Sequence, residues 1–414
     1  MTIKTIRVKN FKSFKDVEVH LGDFNVLIGA NASGKSNFIR IIEFLRDIQR
    51  HGLENAISLQ GGPEYLTNLG IGTRENVTVE LVLSEHAGGV ASVVATSRTT
   101  NSFLLFDPRE VLYSLSVNFS KKPPAFEILD ERLSATGDFV ASGKGNGDQS
   151  LGLGRIIVAR QGMQANAEVG LPKGSSLHDY DFGPWLVSNN ELGSSLVLER
   201  VAFLERQVVP DLAVYDFDPK LPKRATPITG KAELEEDGSN LAIVLKRIVG
   251  SDSDRRRLLN LLQDLLPFVT HLGVENFADK SLLFALKESF AKSRYLPASL
   301  LSDGTINITA MIVALYFEKK AVAVIEEPER NVHPHLISRI IAMMKDASRQ
   351  KQIIVTTHSP EAIRNADTGD VLLVSRDAEG FSTISRPAEQ EEVKVFLQNQ
   401  MGLEELFAQN LLHA

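Results

Sequence analysis

Residues 26–40 read Val26-Leu27-Ile28-Gly29-Ala30-Asn31-Ala32-Ser33-Gly34-Lys35-Ser36-Asn37-Phe38-Ile39-Arg40, and they constrain the fold more than any other stretch. The apolar run Val26 to Ile28 predicts a buried strand. Gly29 ends it, and an amphipathic helix is expected from Ser36 to about Arg50, with Phe38, Ile41, Ile42 and Leu45 on one face. Gly29-x-x-x-x-Gly34-Lys35-Ser36 satisfies the phosphate-loop pattern, and it lies between a strand and a helix as the mechanism requires. Glycines let the backbone wrap closely around a polyphosphate, so that successive N–H groups point at the anion. The helix N-terminus adds partial positive charge. Gly29, Asn31, Ala32, Ser33, Gly34 and Asn37 are the loop's candidate nucleotide contacts. Lys35 would reach the β and γ phosphates, and the Ser36 hydroxyl would ligand Mg²⁺. The stretch predicts a nucleoside triphosphate site.

The chain has 414 residues, more than one ordinary core, so two lobes are expected. Hydrophobic residues at 43% and charged residues at 23% fit a globular protein. The net charge of −7 argues against a wholly basic nucleic-acid coat and leaves room for a local basic patch. With no cysteine, disulfides, thiolate metal sites and cysteine nucleophiles are excluded. There is no apolar run long enough to span a membrane, and Met1 to Arg7 lacks a signal-peptide core. A cytoplasmic location follows as the expectation.

Alternating patterns predict strands at Ile3–Val8, Val17–Leu21, Val77–Leu83, Ala91–Thr96, Val111–Phe119 and Phe126–Leu133, a strand-rich lobe joined by hairpins. Residues 134–154 are rich in Gly, Ser and Asp and read as a mobile loop. Gly137 to Gly145 nearly copies the phosphate loop, but its glycine spacing is wrong and no Ser or Thr follows Lys144. A long helix is expected from Asn190 to Val208, a lobe boundary over Val214–Leu234, and helices over Asn240–Val249 and Asp254–Leu266. Strands follow at Thr270–Phe277 and Leu282–Leu286. This gives an N-terminal lobe over 1–187, a helical arm and connection over 188–266, and a C-terminal lobe over 267–414.

The C-terminal third supplies the other half of the site. Ala321 to Ile325 is a continuous apolar run, typical of a strand buried in a parallel sheet, and it ends in Glu326-Glu327-Pro328-Glu329. Acids at such a strand end would face a phosphate loop on a neighbouring strand. Glu326 suits Mg²⁺ through water, and Glu327 suits acceptance of a proton from the attacking water. Leu301-Ser302-Asp303-Gly304-Thr305 precedes a helix over Ile306–Phe317. Ser302 or Asp303 either caps that helix, or Ser302 and the Gly304 backbone bind a γ-phosphate presented by another subunit. Ile353 to Pro360 reads as another buried strand, ending in His358, a candidate γ-phosphate contact. His333 and His335 mimic a metal pair, but without a third ligand they read as loop-to-helix architecture.

In order and spacing these motifs resemble the ATP-binding-cassette-type ATPases of the SMC, RecF and OLD group, and within it the stand-alone OLD-like AAA-type ATPases. The resemblance rests on Ile6-x-Val8-x-Asn10-Phe11-Lys12-Ser13-Phe14, Walker A at Gly29–Ser36, the Leu301–Thr305 signature, Walker B at Ala321–Glu327 and the Thr357-His358 switch. It implies an α/β fold: a two-lobed ATPase head with a mixed sheet around the P-loop helix, an antiparallel β subdomain and a short helical arm. ATP and Mg²⁺ are the implied cofactors. The ATP site would be completed by a homodimer, Lys35 and Ser36 of one copy facing Ser302, Asp303 and Gly304 of the other. Lys12 and Ser13 would lie beside the nucleotide, and Glu329 to Val332 would overlap the dimer-contact loop. Glu326 stands where many relatives carry Asp, and Asp303 replaces the signature's first glycine. Gln161 is the Q-loop candidate by position. The 56 residues after His358 predict two strands, Val371–Ser375 and Phe381–Arg386, and an amphipathic helix, Val393–Leu412. They are too few for a Toprim nuclease domain.

The leading expectation is an ATPase whose heads associate on ATP and separate on hydrolysis, with Lys35, Glu327 and His358 as catalytic residues. It would serve as motor or sensor of a multi-protein system such as anti-phage defence, with a separate Toprim-like or other effector and with higher oligomers open. A RecF-type DNA-binding maintenance ATPase is one alternative, suggested by Arg255-Arg256-Arg257 and Lys121-Lys122. A slow nucleotide-sensing scaffold is the other. No membrane partner is expected.

Overall fold

The computed structural model describes residues 1–84, 92–98, 102–120, 126–143, 147–161, 164–175, 179–181, 210–277, 280–291, 294–398, 402–409 and 412. The expected Asn190–Val208 helix and Lys121-Lys122 lie outside the described residues.

In chain order the strands are β1 (Thr2–Phe11), β2 (Phe14–His20), β3 (Phe24–Ile28), β4 (Val77–Ser84), β5 (Ser92–Ser97), β6 (Ser102–Phe119), β7 (Phe126–Gly143), β8 (Gly147–Gln161), β9 (Gln164–Gly170), β10 (Tyr180–Asp181), β11 (Leu212–Tyr215), β12 (Thr226–Pro227), β13 (Val269–Phe277), β14 (Ser281–Glu288), β15 (Leu296–Pro297), β16 (Val322–Glu326), β17 (Gln352–Thr356), β18 (Val371–Arg376) and β19 (Ser382–Ser385). The helices are α1 (Lys35–His51), α2 (Leu53–Leu59), α3 (Pro63–Leu66), α4 (Leu241–Val249), α5 (Asp252–Leu265), α6 (Asp303–Tyr316), α7 (Pro334–Ala347), α8 (Pro360–Arg364), α9 (Glu391–Gln398) and α10 (Leu403–Ala408). The chain divides into two units, each assembled from segments far apart in sequence.

Unit one comprises Met1–Gly22, Ser36–Asp211 and Arg376–Ile384. Its sheet runs β2-β1-β4-β6-β7-β8-β9, with β5 on β6 and β10 on β5. Along β4, Val77, Val79, Leu81 and Leu83 are buried while the residues between them are half-buried, as a strand with one covered face requires. Helix α1 buries the predicted face of Phe38, Ile41, Ile42 and Leu45. Phe44 of α1 meets Phe11 of β1 at 5.7 Å between ring centroids.

The mobile-loop reading of 134–154 is overturned within this unit. β7 and β8 are long paired strands across most of that stretch, with Gly137 opposite Gly154. At Gly137 and Gly154 the glycine answers to packing. A Cβ on Gly137 would collide with the Asp107 carbonyl of β6, and one on Gly154 with the Phe139 ring and the Gly170 carbonyl. Phe139 is fully buried and lies 4.8 Å from the Phe106 ring.

Unit two comprises Asp23–Lys35, Leu212–Ser375 and Ser385–Ala414. Five of its strands are parallel, in the order β11-β16-β17-β3-β18. Every residue of β3, β11 and β17 is buried, which explains why Val26 to Ile28 and Ile353 to Val355 read as short apolar runs rather than as alternations. Val214 and Tyr215, expected to open the lobe connection, instead end the buried strand β11, paired with β16. Helices α4 to α7 contribute Leu245, Leu262, Ile312 and Ile340 to one continuous core with β3, β16 and β17. Thr305 to Leu315 of α6 are buried without a break. A second, antiparallel sheet runs β12-β14-β13, with β15 on β14. The single helix expected over Val393–Leu412 is instead α9 and α10, because Gly402 takes extended backbone before Leu403.

Candidate functional site

In a parallel sheet, ligands collect at the carboxyl ends of the strands, where the order of connection reverses. Three strand ends in unit two carry the residues singled out above. β3 runs into the Gly29–Lys35 loop, β16 into Glu326 and Glu327, and β17 into Thr357 and His358. Register pairs Glu326 with Thr356 and Thr356 with Leu27. The acidic strand is therefore not the immediate neighbour of the phosphate-loop strand, as the sequence suggested. β17 lies between them and sets the histidine between loop and acids.

Gly29 has φ +152°, and a Cβ there would collide with the Val374 carbonyl of β18. The loop must therefore leave the sheet at a glycine. Ala32 (φ +62°) and Gly34 (φ +123°) continue the turn with left-handed backbone. Asn31 and Ala32 are exposed, whereas Ser33, Gly34 and Lys35 are buried. Lys35 Nζ donates to the carbonyl oxygens of Gly29 (2.7 Å) and Ala30 (3.0 Å), so the ammonium sits inside its own loop. Burial pushes it down from 10.5 to about 8, with the Glu327 carboxylate pulling the other way. Ser36, next on α1, is exposed.

Glu327 has φ +42°, a strained value for a non-glycine residue, and its N–H donates to the Thr356 carbonyl at 2.9 Å. Its Oε1 lies 3.8 Å from His358 Nε2. Its Oε2 accepts from Arg330 Nη2 (3.1 Å) and Nε (3.3 Å), and Arg330 Nη1 also donates to Asp216 Oδ1 at 2.8 Å. Burial, and then the Lys35 charge, hold His358 below its ordinary value, while Glu327 and Glu329 oppose them. Lys35, Glu327 and His358 thus act on one another electrostatically within one unit.

The signature turn makes contacts of its own. Ser302 Oγ accepts from the Thr305 N–H at 3.1 Å and caps α6. Asp303 pairs with Lys223 at 2.5 Å. A Cβ on Gly304 would lie 2.6 Å from the Asn331 carbonyl, so this turn rests against the turn that follows Glu327. His333 caps α7 immediately before Pro334, which agrees with an architectural reading of that pair.

Lys12, Ser13 and Asn37 gather in unit one, where they line a cavity of about 710 Å³ with Arg40, Gln60 and Tyr65 among others. Lys12 Nζ donates to the Tyr65 carbonyl (3.0 Å), and Asn37 Nδ2 donates to Ser13 Oγ (2.8 Å). Burial first and Arg40 second lower the Lys12 ammonium. The pairing of Arg330 with Asp216 was missed from sequence. Arg330 lies in the Glu329–Val332 stretch noted for dimer contact, but its pairing with Asp216, 114 positions away, has no counterpart in the sequence pattern.

Family models match two stretches of the chain. Residues 1–80 match one described as "AAA ATPase domain", and residues 177–364 match one described as "AAA domain, putative AbiEii toxin, Type IV TA system". Among solved structures, an SMC head bound to the C-winged helix domain of ScpA is 16% identical, covers 93% of this chain and 98% of its own, and superposes with a TM-score of 0.52. An SMC head domain with an extended coiled coil, bound to the C-terminal domain of ScpA derived from Pyrococcus furiosus, is 16% identical over 96% and 99%, at 0.49. The SMC head domain from Thermotoga maritima is 15% identical over 93% and 99%, at 0.42. Of the three, the first speaks to the fold. The chain has the α/β fold of an SMC head domain, and two stretches of it match models of AAA-type ATPase domains. No curated protein matches it.

Proposed function

We propose that this protein binds and hydrolyses ATP, and that two copies pair around the nucleotide. The observation that carries this reading is the convergence of Lys35, Glu327 and His358 at three adjacent strand ends of unit two. Lys35 would neutralise the β and γ phosphates, and Glu327 would accept a proton from the attacking water. His358 would hold the γ-phosphate. Oxygen donors suit Mg²⁺, and Ser36 and Glu326 are the residues that would hold it, with phosphate oxygens and water completing its shell. The bound metal would neutralise charge developing on the phosphates. Among the described residues, no cluster of three or more His, Asp or Glu could hold a metal ion. Ser302, Asp303 and Gly304 would meet the γ-phosphate held by the partner copy, as the resemblance implies.

Such an engine would serve a larger system with a separate effector. The family matched over 177–364 is described in terms of a type IV TA system, which agrees with a multi-protein role. Arg255 to Arg257, noted for a DNA-binding alternative, are exposed, and Arg256 Nε donates to the Asp252 carbonyl at 3.1 Å. Arg255 pairs with Asp252 at 2.7 Å, and the Arg257 guanidinium lies over the Tyr316 and Phe317 rings. Among the described residues, no helix is long and apolar enough to cross a membrane.

The test is Glu327→Gln. Turnover should fall by about a hundredfold or more while ATP binding persists, and light scattering should report a stable ATP-bound dimer. Unchanged turnover removes Glu327 as the base. A species that stays monomeric with ATP removes the pairing.

A further inference from the structure

Strand β17 ends at Thr356, so the sheet no longer holds the backbone on which His358 depends. The Thr357 N–H still reaches back to the Leu27 carbonyl at 3.0 Å. Beyond it, one side chain takes over. Glu329 Oε1 accepts from Thr357 Oγ1 at 2.6 Å and from the His358 N–H at 3.2 Å. The same Thr357 hydroxyl accepts from the Ser359 N–H at 3.0 Å, so one carboxylate oxygen organises three consecutive residues. Glu329 is itself fixed, because it lies in the turn closed by Arg330 N–H to the Glu327 carbonyl (2.9 Å) and Val332 N–H to the Glu329 carbonyl (3.0 Å). Glu327 and His358 are thereby tied to a common support, and their side chains face each other at 3.8 Å.

We infer that Glu329 is a positioning residue: it fixes the Thr357-His358 backbone and, through it, sets the His358 ring opposite Glu327. The inference rests on the ATPase reading above. Removing Glu329 would leave a half-buried N–H and a buried hydroxyl without their acceptor, so both would seek new partners and carry His358 with them. The acceptor oxygen matters here more than the charge. Glu329 Oε2 is buried and has no hydrogen-bond partner, so the contacts that fix the segment all fall on Oε1. A glutamine keeps that acceptor and a leucine does not.

Steady-state ATPase assays on Glu329→Leu, Glu329→Gln, His358→Ala and Glu329→Leu/His358→Ala test this. Glu329→Leu should lower kcat by about tenfold to a hundredfold with KM within about threefold, the cost of misplacing a group near the reacting atoms. Glu329→Gln should stay within about threefold of the wild type, because the acceptor remains. In the His358→Ala background, Glu329→Leu should cost less than about twofold further, since residues acting through one another are not additive. Thr357→Val removes one of the two donors and should give an intermediate loss, which covers the case in which Glu329→Leu does not fold. Additive losses, or a glutamine as damaging as the leucine, would overturn the inference. An independent arm reads the His358 amide by NMR hydrogen exchange: its protection should be lost in Glu329→Leu and kept in Glu329→Gln. Protection unchanged in both overturns the positioning role whatever the turnover. ATPase activity that survives Lys35→Ala overturns the site reading instead and leaves the exchange result standing.

Discussion

Raising the pH should strengthen unit two over one window and weaken it over the next, and Lys351 sets the first. Lys351 is only 7% exposed, and its Nζ donates to the carbonyl oxygens of Ala314 (3.0 Å) and Glu318 (2.6 Å), at the C-terminal end of α6. Burial pushes the ammonium down from 10.5 to about 8, against the pull of Glu318. The folded chain therefore releases this proton near pH 8, whereas the unfolded chain keeps it to about pH 10.5. Between those values the unfolded state binds more protons, so stability rises with pH. A depression of that size is worth up to about 3 kcal/mol, at about 1.36 kcal/mol per pH unit. Above it, Tyr316 acts in the opposite sense. Burial raises its phenol from 10.0 to about 12, so the stability it lends is present below pH 10 and lost as pH climbs towards 12. The assay is urea unfolding followed by far-UV circular dichroism from pH 7.5 to 10, on the wild type and on Lys351→Met. Other titrating groups cancel in the difference between the two curves. That difference should move in favour of the wild type by about 1–3 kcal/mol across the window. Parallel curves, or a shift the other way, would refute the assignment.

Lys35→Ala should weaken ATP binding by about a hundredfold or abolish it, because the loop loses its cation; isothermal titration calorimetry reads this directly. Gly29→Ala should destabilise the fold by on the order of 3 kcal/mol, since the new Cβ meets the Val374 carbonyl in left-handed backbone. A thermal-unfolding midpoint within about 1 °C of the wild type would contradict that. Gly304→Ala should spare single-site nucleotide binding but impair ATP-driven pairing, because the signature turn must move off the Asn331 carbonyl. Size-exclusion chromatography in the Glu327→Gln background measures it.

Much of the candidate site was legible because its proposed chemistry is local. A phosphate loop needs its glycines, lysine and hydroxyl at fixed spacing, and a strand buried on both faces needs an unbroken apolar run. Those requirements place Gly29 to Ser36, Glu326-Glu327 and His358 from sequence alone. Their spatial order was not legible, because nothing in Ile353 to Thr356 says which strand it will lie beside. Glycine misled in two ways. At Gly137 and Gly154 it permits close approach between long strands where it reads as a loop, and at Gly402, where periodicity had drawn one helix, the backbone is extended. The partners of Glu327 escaped for another reason. Asp216 and Arg330 meet only through the fold, and nothing local to either position announces the pairing.

β3 has a long wait ahead of it during synthesis. Among the described residues it pairs with β17 and β18, and Phe24 meets Ile353 about 330 positions later. At about 5–20 residues per second, that separation corresponds to on the order of twenty seconds to a minute. Throughout that interval Phe24 to Ile28 has neither of its neighbours, although all five residues are buried once the sheet forms. The Gly29–Ser36 loop thus leaves the ribosome well before the strands that flank β3 exist to shape it. A nascent chain stopped before residue 352 would expose an unpaired apolar strand, a natural target for chaperones.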